Sequence, residues 1–310
     1  MLKYNDIRSL LTQAEFAHLR FECRMDESID IDMSTLLRLR RRMRTAARHV
    51  LQGRPSIFRK MFEPSLPADP LALKRYQKGA PAFVLCPAVT RSGRYAKGEL
   101  LQLEVMLFGD VHAQMLPLIE VFLSLGAAGL RLDSGRFVLE RVTSSDASGV
   151  FLEVWNTQVV QHSPNIPLLD LGWWLGGQAQ SCCQFELEFN TPARLLTRGK
   201  PMFTPEFKHL YPFMLRRVTS MLYIHCGVEL DPLMFEMPDL VCVENKLYWH
   251  DWRELRGDSG ATNPLGGVRG SLHMRGDVAG AILPLLQLGS VMNLGKNAAF
   301  GAGSYRLSCR

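Results

Sequence analysis

No two of the seven cysteines (Cys23, Cys86, Cys182, Cys183, Cys226, Cys242 and Cys309) stand in a CxxC spacing, and an odd, scattered set builds neither a disulfide framework nor a ribbon-type zinc site. Apolar runs long enough for a bilayer are missing too. VAGAILPLLQL at 278–288 and LPLIEVFLSLGAAGL at 116–130 fall short of the roughly 20 residues a spanning helix needs, and Glu120 interrupts the second. The opening MLKYNDIRSLL has no charged-then-apolar leader pattern. From these absences the expected setting is cytoplasmic and reducing, without a membrane. There is no GxSxG for a serine hydrolase and no acidic pair of the two-metal nuclease kind, so no metal and no cofactor is expected.

Acid is absent from residues 33–60, and that is where base concentrates. Arg38, Arg40, Arg41, Arg42, Arg44, Arg48, Arg54, Arg59 and Lys60 make the segment +9, whereas the whole chain is +6 and the remainder is therefore −3. One concentrated block of this kind attracts a phosphate backbone or another acidic surface. With 47% apolar and 21% charged residues the 310-residue chain is a folded protein, long enough for two cores.

The hydropathy pattern predicts the elements. FAHLRFECRM (16–25) alternates, with Leu19, Phe21, Cys23 and Met25 on one side and His18, Arg20, Glu22 and Arg24 on the other, a half-buried strand. Asp32 and Ser34 offer N-caps to a helix over about 33–52, which Gly53 and Pro55 end. An irregular excursion is expected over 61–81, then strands near 83–88 and 101–108, a helix over about 111–125 closed by a loop from Gly126 to Gly129, and strands at 136–142 and 150–160. A Ser-, Pro- and Gly-containing stretch at 143–180 sets a domain boundary near 161. Beyond it come a strand at 183–190, a helix at 205–226, strands near 239–249 and 268–275, a helix at 277–288 and a strand at 303–308. The order strand, helix, strand, strand, helix, strand thus occurs twice. The expected fold is α+β, two tandem ferredoxin-like (RRM-like, βαββαβ) domains over 1–160 and 161–310, the second carrying a glycine-rich loop. Such sheets and the cleft between them suit single-stranded RNA.

At 100° per residue, Leu36, Leu39, Met43, Ala46, Ala47 and Val50 cluster on one side of the first long helix, and Arg38, Arg41, Arg42, Arg44, Arg48 and His49 on the other. Like charges in i,i+4 pairs cost a few tenths of a kcal/mol each, a cost that bound phosphates remove. His49 falls between Arg38 and Arg42, within reach of a phosphate they would hold, a placement suited to acid–base work. His18 beside Arg20, and His273 between Arg269 and Arg275, read as polar sheet-face groups that meet a polyanion or only water.

Gly289 to Gly303 (GSVMNLGKNAAFGAG) is the sharpest local signal. It is not a phosphate-binding P-loop, since five residues separate Gly289 from Gly295 and Asn297 follows Lys296 where Ser or Thr is required. What remains is a loop in which Gly295, Gly301 and Gly303 admit close backbone approach, amides and Lys296 face a phosphate, and Phe300 anchors the loop or stacks a base. Cys182, Cys183, His225, Cys226 and Cys242 lack zinc-ligand spacing, and Tyr248, Trp249 and Trp252 read as core before base-stacking residues.

Residues 265–307, LGGVRGSLHMRGDVAGAILPLLQLGSVMNLGKNAAFGAGSYRL, resemble the end of the CRISPR-associated repeat-RNA-processing endoribonucleases of the RAMP superfamily, whose mark is a GK…FGxG loop after a short helix. LYWHDWREL (247–255), FMLRRVTSML (213–222), MLFGDVHAQMLPLIEVFLSLGAAGL (106–130) and FVLCPA (83–88) are also similar to that family. The resemblance implies an endoribonuclease that binds CRISPR repeat RNA and cuts precursor CRISPR RNA without a metal. The 2′-hydroxyl attacks, leaving a 2′,3′-cyclic phosphate and a 5′-hydroxyl, and DNA is met only through an effector complex. It implies His49 on the first helix as the catalytic choice, His18 as the second, and Arg38, Arg42 or Lys296 as stabilisers of the crowded phosphate. RNA contacts are expected from Arg38, Arg41, Arg42, Arg44, Arg48, Arg269, His273, Arg275, Asn293, Gly295, Lys296, Asn297, Gly301 and Gly303. Relatives tend to read HxGK where this chain reads Asn293, Leu294, Gly295, Lys296. Asparagine hydrogen-bonds but does not shuttle protons. The alternative is therefore a non-cleaving guide-RNA scaffold among other effector subunits.

Overall fold

The computed structural model describes residues 3–69, 79–86, 93–158, 165–231, 235–237, 239–251, 266–278, 280 and 282–309, without the side chains of 33, 34 and 36–38. Of the sequence reading, the side chains of Leu36 and Arg38, and Trp252 as a whole, lie outside the described residues, as do 70–78 of the expected irregular excursion.

The chain divides into two compact units, Glu15–Leu169 and a second made of Met1–Ala14 with Asp170–Arg310. The sequence pattern placed a boundary near 161 and the N-terminus with the first unit. The opening helix α1 (Tyr4–Leu10) instead belongs to the second, where Ile7 and Leu11 are fully buried and the Tyr4 hydroxyl donates to the carbonyl of Leu175 at 2.8 Å. An amphipathic turn this short shows which face is apolar but not which core will cover it.

In the unit Glu15–Leu169 the strands are β1 (Glu15–Met25), β2 (Ile29–Ile31), β3 (Phe83–Cys86), β4 (Gly93–Tyr95), β5 (Leu100–Phe108), β6 (Phe137–Ser145) and β7 (Phe151–Asn156). The helices are α2 (Met33–Val50), α3 (Pro55–Phe62) and α4 (Val111–Ala128). The sheet runs β3-β5-β1-β6-β7 with antiparallel neighbours, so the fourth core strand lies beside the first and the first beside the third, the ferredoxin-like order. The alternation in β1 decides its faces. Phe21 stacks on Phe122 of α4 with ring centroids 3.9 Å apart, so the odd-numbered side chains meet the helix layer and His18, Arg20, Glu22 and Arg24 point away from it.

Asp32 caps α2, its Oδ1 accepting from the Thr35 amide at 2.7 Å, and Leu39, Met43, Ala46 and Ala47 are buried as their spacing requires. Residues 55–62, partly assigned to an irregular segment, form α3, begun by Pro55 at its first turn. Gly126, read as a loop opener, lies inside α4. A Cβ there would come within 2.3 Å of the Phe137 carbonyl oxygen, so this glycine serves close helix–strand approach. The eighteen residues of α4 are long and apolar enough to cross a membrane by length and composition alone, beyond the shorter run expected; most are buried, and here they pack on the sheet.

Short β8 (Leu169–Asp170) marks the division. The other unit then holds α5 (Leu171–Gly176), β9 (Cys182–Ala193), β10 (Leu196–Thr197), β11 (Lys200–Pro201), α6 (Phe207–Met221) with a π-helical turn through Cys226, β12 (Val241–Asn245), β13 (Tyr248–Asp251), β14 (Gly266–Val278), α7 (Ile282–Met292) and β15 (Tyr305–Cys309). Its sheet runs β12-β14-β9-β15, again antiparallel, with β13 on β14. The same ferredoxin-like order therefore recurs.

Candidate nucleic-acid interface

The first constellation is the outer face of α2. Arg40, Arg41, Arg44, Thr45 and Arg48 line a concavity of about 560 Å³. Arg40, Arg44 and Arg48 lie one helical turn apart, and burial together with the charges of Arg40 and Arg48 pulls the Arg44 guanidinium below its ordinary pKa. Glu63, just past α3, answers part of this charge by pairing with Arg44 and, at 3.6 Å, with Arg48. Four guanidinium groups around one hollow concentrate positive charge that a polyanion matches.

Within the predicted set the arginines have different partners. Arg41 is exposed. Arg42 donates from Nε to the Gly129 carbonyl at 3.0 Å and also reaches the Ala128 carbonyl, so it caps the C-terminus of α4. Its charge answers a helix end as well as any ligand. Arg40, passed over in the site reading, lines the hollow. Its i,i+4 relation to Arg44 was the available signal. His49 is exposed in the last turn of α2, one turn beyond Thr45.

On the other side of that sheet, His18 Nε2 lies 3.1 Å from Glu104 Oε2, and Arg20 reaches Glu104 at 3.1 Å while its guanidinium carbon stands 3.6 Å over the Phe151 ring. The His18 ring meets Phe151 edge-on at 5.2 Å. Glu104 and Phe151 complete this cluster, and sequence reasoning missed both. Register explains Glu104, because β1 and β5 pair Arg20 with it directly. Since His18 faces away from the helix layer that contains α2, it and His49 lie on opposite sides of the sheet. They are not two halves of one acid–base pair.

In the other unit His273 pairs across β14 with Glu186 of β9 and Glu244 of β12, an acidic flank on both sides. Arg269 lies opposite Tyr248, and exposed Arg275 opposite Gln184 and Val241.

The glycine-rich loop is built inward. Asn293, Asn297, Gly295, Gly301 and Gly303 all take positive φ. Asn293 is buried and donates Nδ2 to the Ala298 carbonyl at 3.1 Å. The amides of Leu294, Lys296 and Gly303 donate to Gly303, Arg194 and Pro192 carbonyls, and Thr191 Oγ1 bridges the Gly301 carbonyl and the Ser304 amide. Most amides pictured as facing a phosphate are thus spent inside the loop. Phe300 is buried, an anchor and not a stacking surface. What the loop presents outward is the exposed Lys296, held by its antiparallel bridge to Arg194. Among the described residues no group of three or more His, Cys, Asp or Glu side chains converges as for a metal.

Comparison with known proteins matches each half of the chain separately. Residues 187–305 match the family model described as CRISPR-associated endoribonuclease Cas6. That stretch is Cas6-like. Residues 14–165 match a model described as an N-terminal domain. Of solved structures, a Cas6 product complex aligns over 94% of this chain and 100% of its own at 16% identity and TM-score 0.53. Thermus thermophilus Cas6 aligns over 95% and 99% at 14% identity and TM-score 0.50. A partial complex of Cas6-RT-Cas1 with Cas2 aligns over 96% of this chain and 46% of that one at 13% identity and TM-score 0.55. These likenesses establish the fold, which the two ferredoxin-like sheets already displayed. No curated protein matches the chain.

Proposed function

We propose that the chain is a metal-independent endoribonuclease that binds CRISPR repeat RNA, cuts precursor CRISPR RNA and stays on its product as a subunit of an effector complex. The observation that carries this is the arginine-walled hollow on α2 with His49 one turn away. Phosphates seated along Arg40, Arg41 and Arg48 bring a scissile linkage to the end of the helix, where an imidazole withdraws the 2′-hydroxyl proton. The attacking oxygen then forms the bond to phosphorus as the bond to the 5′-oxygen breaks and that oxygen takes up a proton from an acid or from water, giving a 2′,3′-cyclic phosphate and a 5′-hydroxyl. Fixed guanidinium and ammonium groups stabilise the charge that builds on the phosphorane. Within the other unit, Lys296, Arg269, His273, Arg275 and the loop are proposed as further RNA contacts.

His49 is the first assignment for the base and His18, held by Glu104, the second. Because they lie on opposite sides of one sheet, only one acts on a given phosphate. His49→Ala slows single-turnover cleavage about 10²- to 10⁴-fold with RNA affinity nearly kept; an unchanged rate transfers the role to His18, tested by His18→Ala. A second reading, an RNA-holding subunit that does not cut, draws on the burial of Asn293, which leaves the loop without a titratable side chain at that position.

A further inference from the structure

Beneath the loop sits a cation that the reaction scheme does not use. Arg217, on α6, sends both Nε and Nη2 to one acceptor, the carbonyl of Met292, at 3.0 and 2.9 Å. Burial pushes its guanidinium down to about 10, and among the described residues it has no carboxylate partner. A half-buried arginine with five donors and, among the described residues, no carboxylate beside it gives up part of its hydration. Among the described residues its acceptor is the end of α7, where unpaired carbonyls carry about half a negative charge.

Met292 is the last residue of α7, and the next one, Asn293, already has φ +57°. From there the loop is tied at Asn293 to Ala298 and at Lys296 to Arg194, so Lys296 lies between anchors whose origin is the helix end that Arg217 grips. Helix ends are capped by glycine, by water or by Lys, Arg and His side chains, as Arg42 caps α4. A two-point guanidinium clamp adds direction, because its planar fork fixes where the carbonyl, and the turn that follows it, must lie.

We propose that Arg217 is a positioning residue: it holds the exit of α7 so that the glycine-rich loop sets the Lys296 ammonium against an RNA phosphate. This rests on the proposed reading of Lys296 as an RNA contact, and the test separates the two.

The test measures the affinity of the full chain for a labelled single-stranded RNA carrying the CRISPR repeat, from 50 to 200 mM salt, with thermal melting followed on the same preparations. Variants are Lys296→Met, Arg217→Met, Arg217→Lys and the Arg217→Met, Lys296→Met double. One lost phosphate contact reduces the affinity drop across that range about 3-fold. Lys296→Met and Arg217→Met are each expected to show it, and the double no more than Lys296→Met alone. A substitution that merely lowers the folded fraction weakens binding by one factor at every salt concentration and leaves the slope unchanged. Wild-type slope in Lys296→Met overturns the loop as an RNA contact. A shallower slope in Lys296→Met beside a wild-type slope in Arg217→Met overturns the inference about Arg217 alone. If the methionine variant does not fold, Arg217→Lys decides, since it keeps the cation but not the fork: a shallower slope supports the clamp and a wild-type slope overturns it.

Discussion

Replacing Gly303 by alanine tests the description of the loop most sharply. Gly303 has φ +65°, and a Cβ on it would stand 1.8 Å from the Leu294 carbonyl oxygen and 2.8 Å from its carbon. Left-handed backbone costs alanine roughly 1–2 kcal/mol. The clash adds more, because a rigid carbonyl cannot yield as a side-chain tip can. To make room, the Leu294 amide to Gly303 carbonyl bond (2.9 Å) and the Gly303 amide to Pro192 carbonyl bond (3.0 Å) must open, at about 1 kcal/mol each. The sum is roughly 3–4 kcal/mol. Gly199 is the internal control. It lies in the same unit at φ +80°, and a Cβ added to it would meet nothing within 4 Å, so Gly199→Ala bears only the backbone cost of roughly 1–2 kcal/mol. At about 2–4 °C per kcal/mol for a unit of this size, calorimetry should place the Gly303→Ala transition roughly 10 °C below wild type and Gly199→Ala roughly 4 °C below. Equal shifts would refute the claim that the loop is closed through Gly303.

Further predictions concern charge. Asp110 caps α4 through the Ala113 amide and takes a hydrogen bond from Lys60, which holds its carboxyl below the ordinary value. Asp110→Ala should cost about 1 kcal/mol near neutrality. Because the folded pKa is the lower one, the difference from wild type is full above the unfolded carboxylate value and fades as pH falls through the folded one, as urea titrations at several pH values will show. Glu22 is buried and pairs with Arg141 at 2.6 Å, so Arg141→Met strands a buried carboxylate and should destabilise by about 2 kcal/mol, more than Arg24→Met at the exposed Glu140 pair. Equal melting shifts for the two would contradict that ranking. Arg41→Ala should reduce the salt slope of RNA binding by close to one contact's worth, whereas Arg42→Ala should lower thermal stability as well, since it uncaps α4.

Periodicity made much of the fold legible. The alternation of β1 and the apolar stripe of α2 each follow from a single repeat distance, and the recurrence of one element order disclosed both ferredoxin-like sheets. Residues whose role depends on a distant partner were not legible. Gly126 reads as a helix breaker until Phe137 is seen against it, and α1 reads as part of the first unit until Leu175 accepts its tyrosine hydroxyl. At the candidate site, charge density announced the arginine hollow, because repeating like charge on one helix face has no folding use. Glu104 and Arg217 were silent. One is called to His18 by strand register, and the other is an arginine whose carbonyl partner lies 75 positions away. Asn293 looked like an outward group because glycine-rich loops are commonly exposed. Here it closes the loop from inside.

How the RNA is cut bears most directly on the proposed chemistry. The purified chain should be incubated in excess EDTA with its repeat RNA and with a copy carrying 2′-deoxy at the scissile nucleotide, and the product ends identified. Attack by the 2′-hydroxyl without a metal predicts cleavage of the ribose substrate alone, leaving a 2′,3′-cyclic phosphate. Cleavage of both copies, or cleavage that EDTA abolishes, would contradict it.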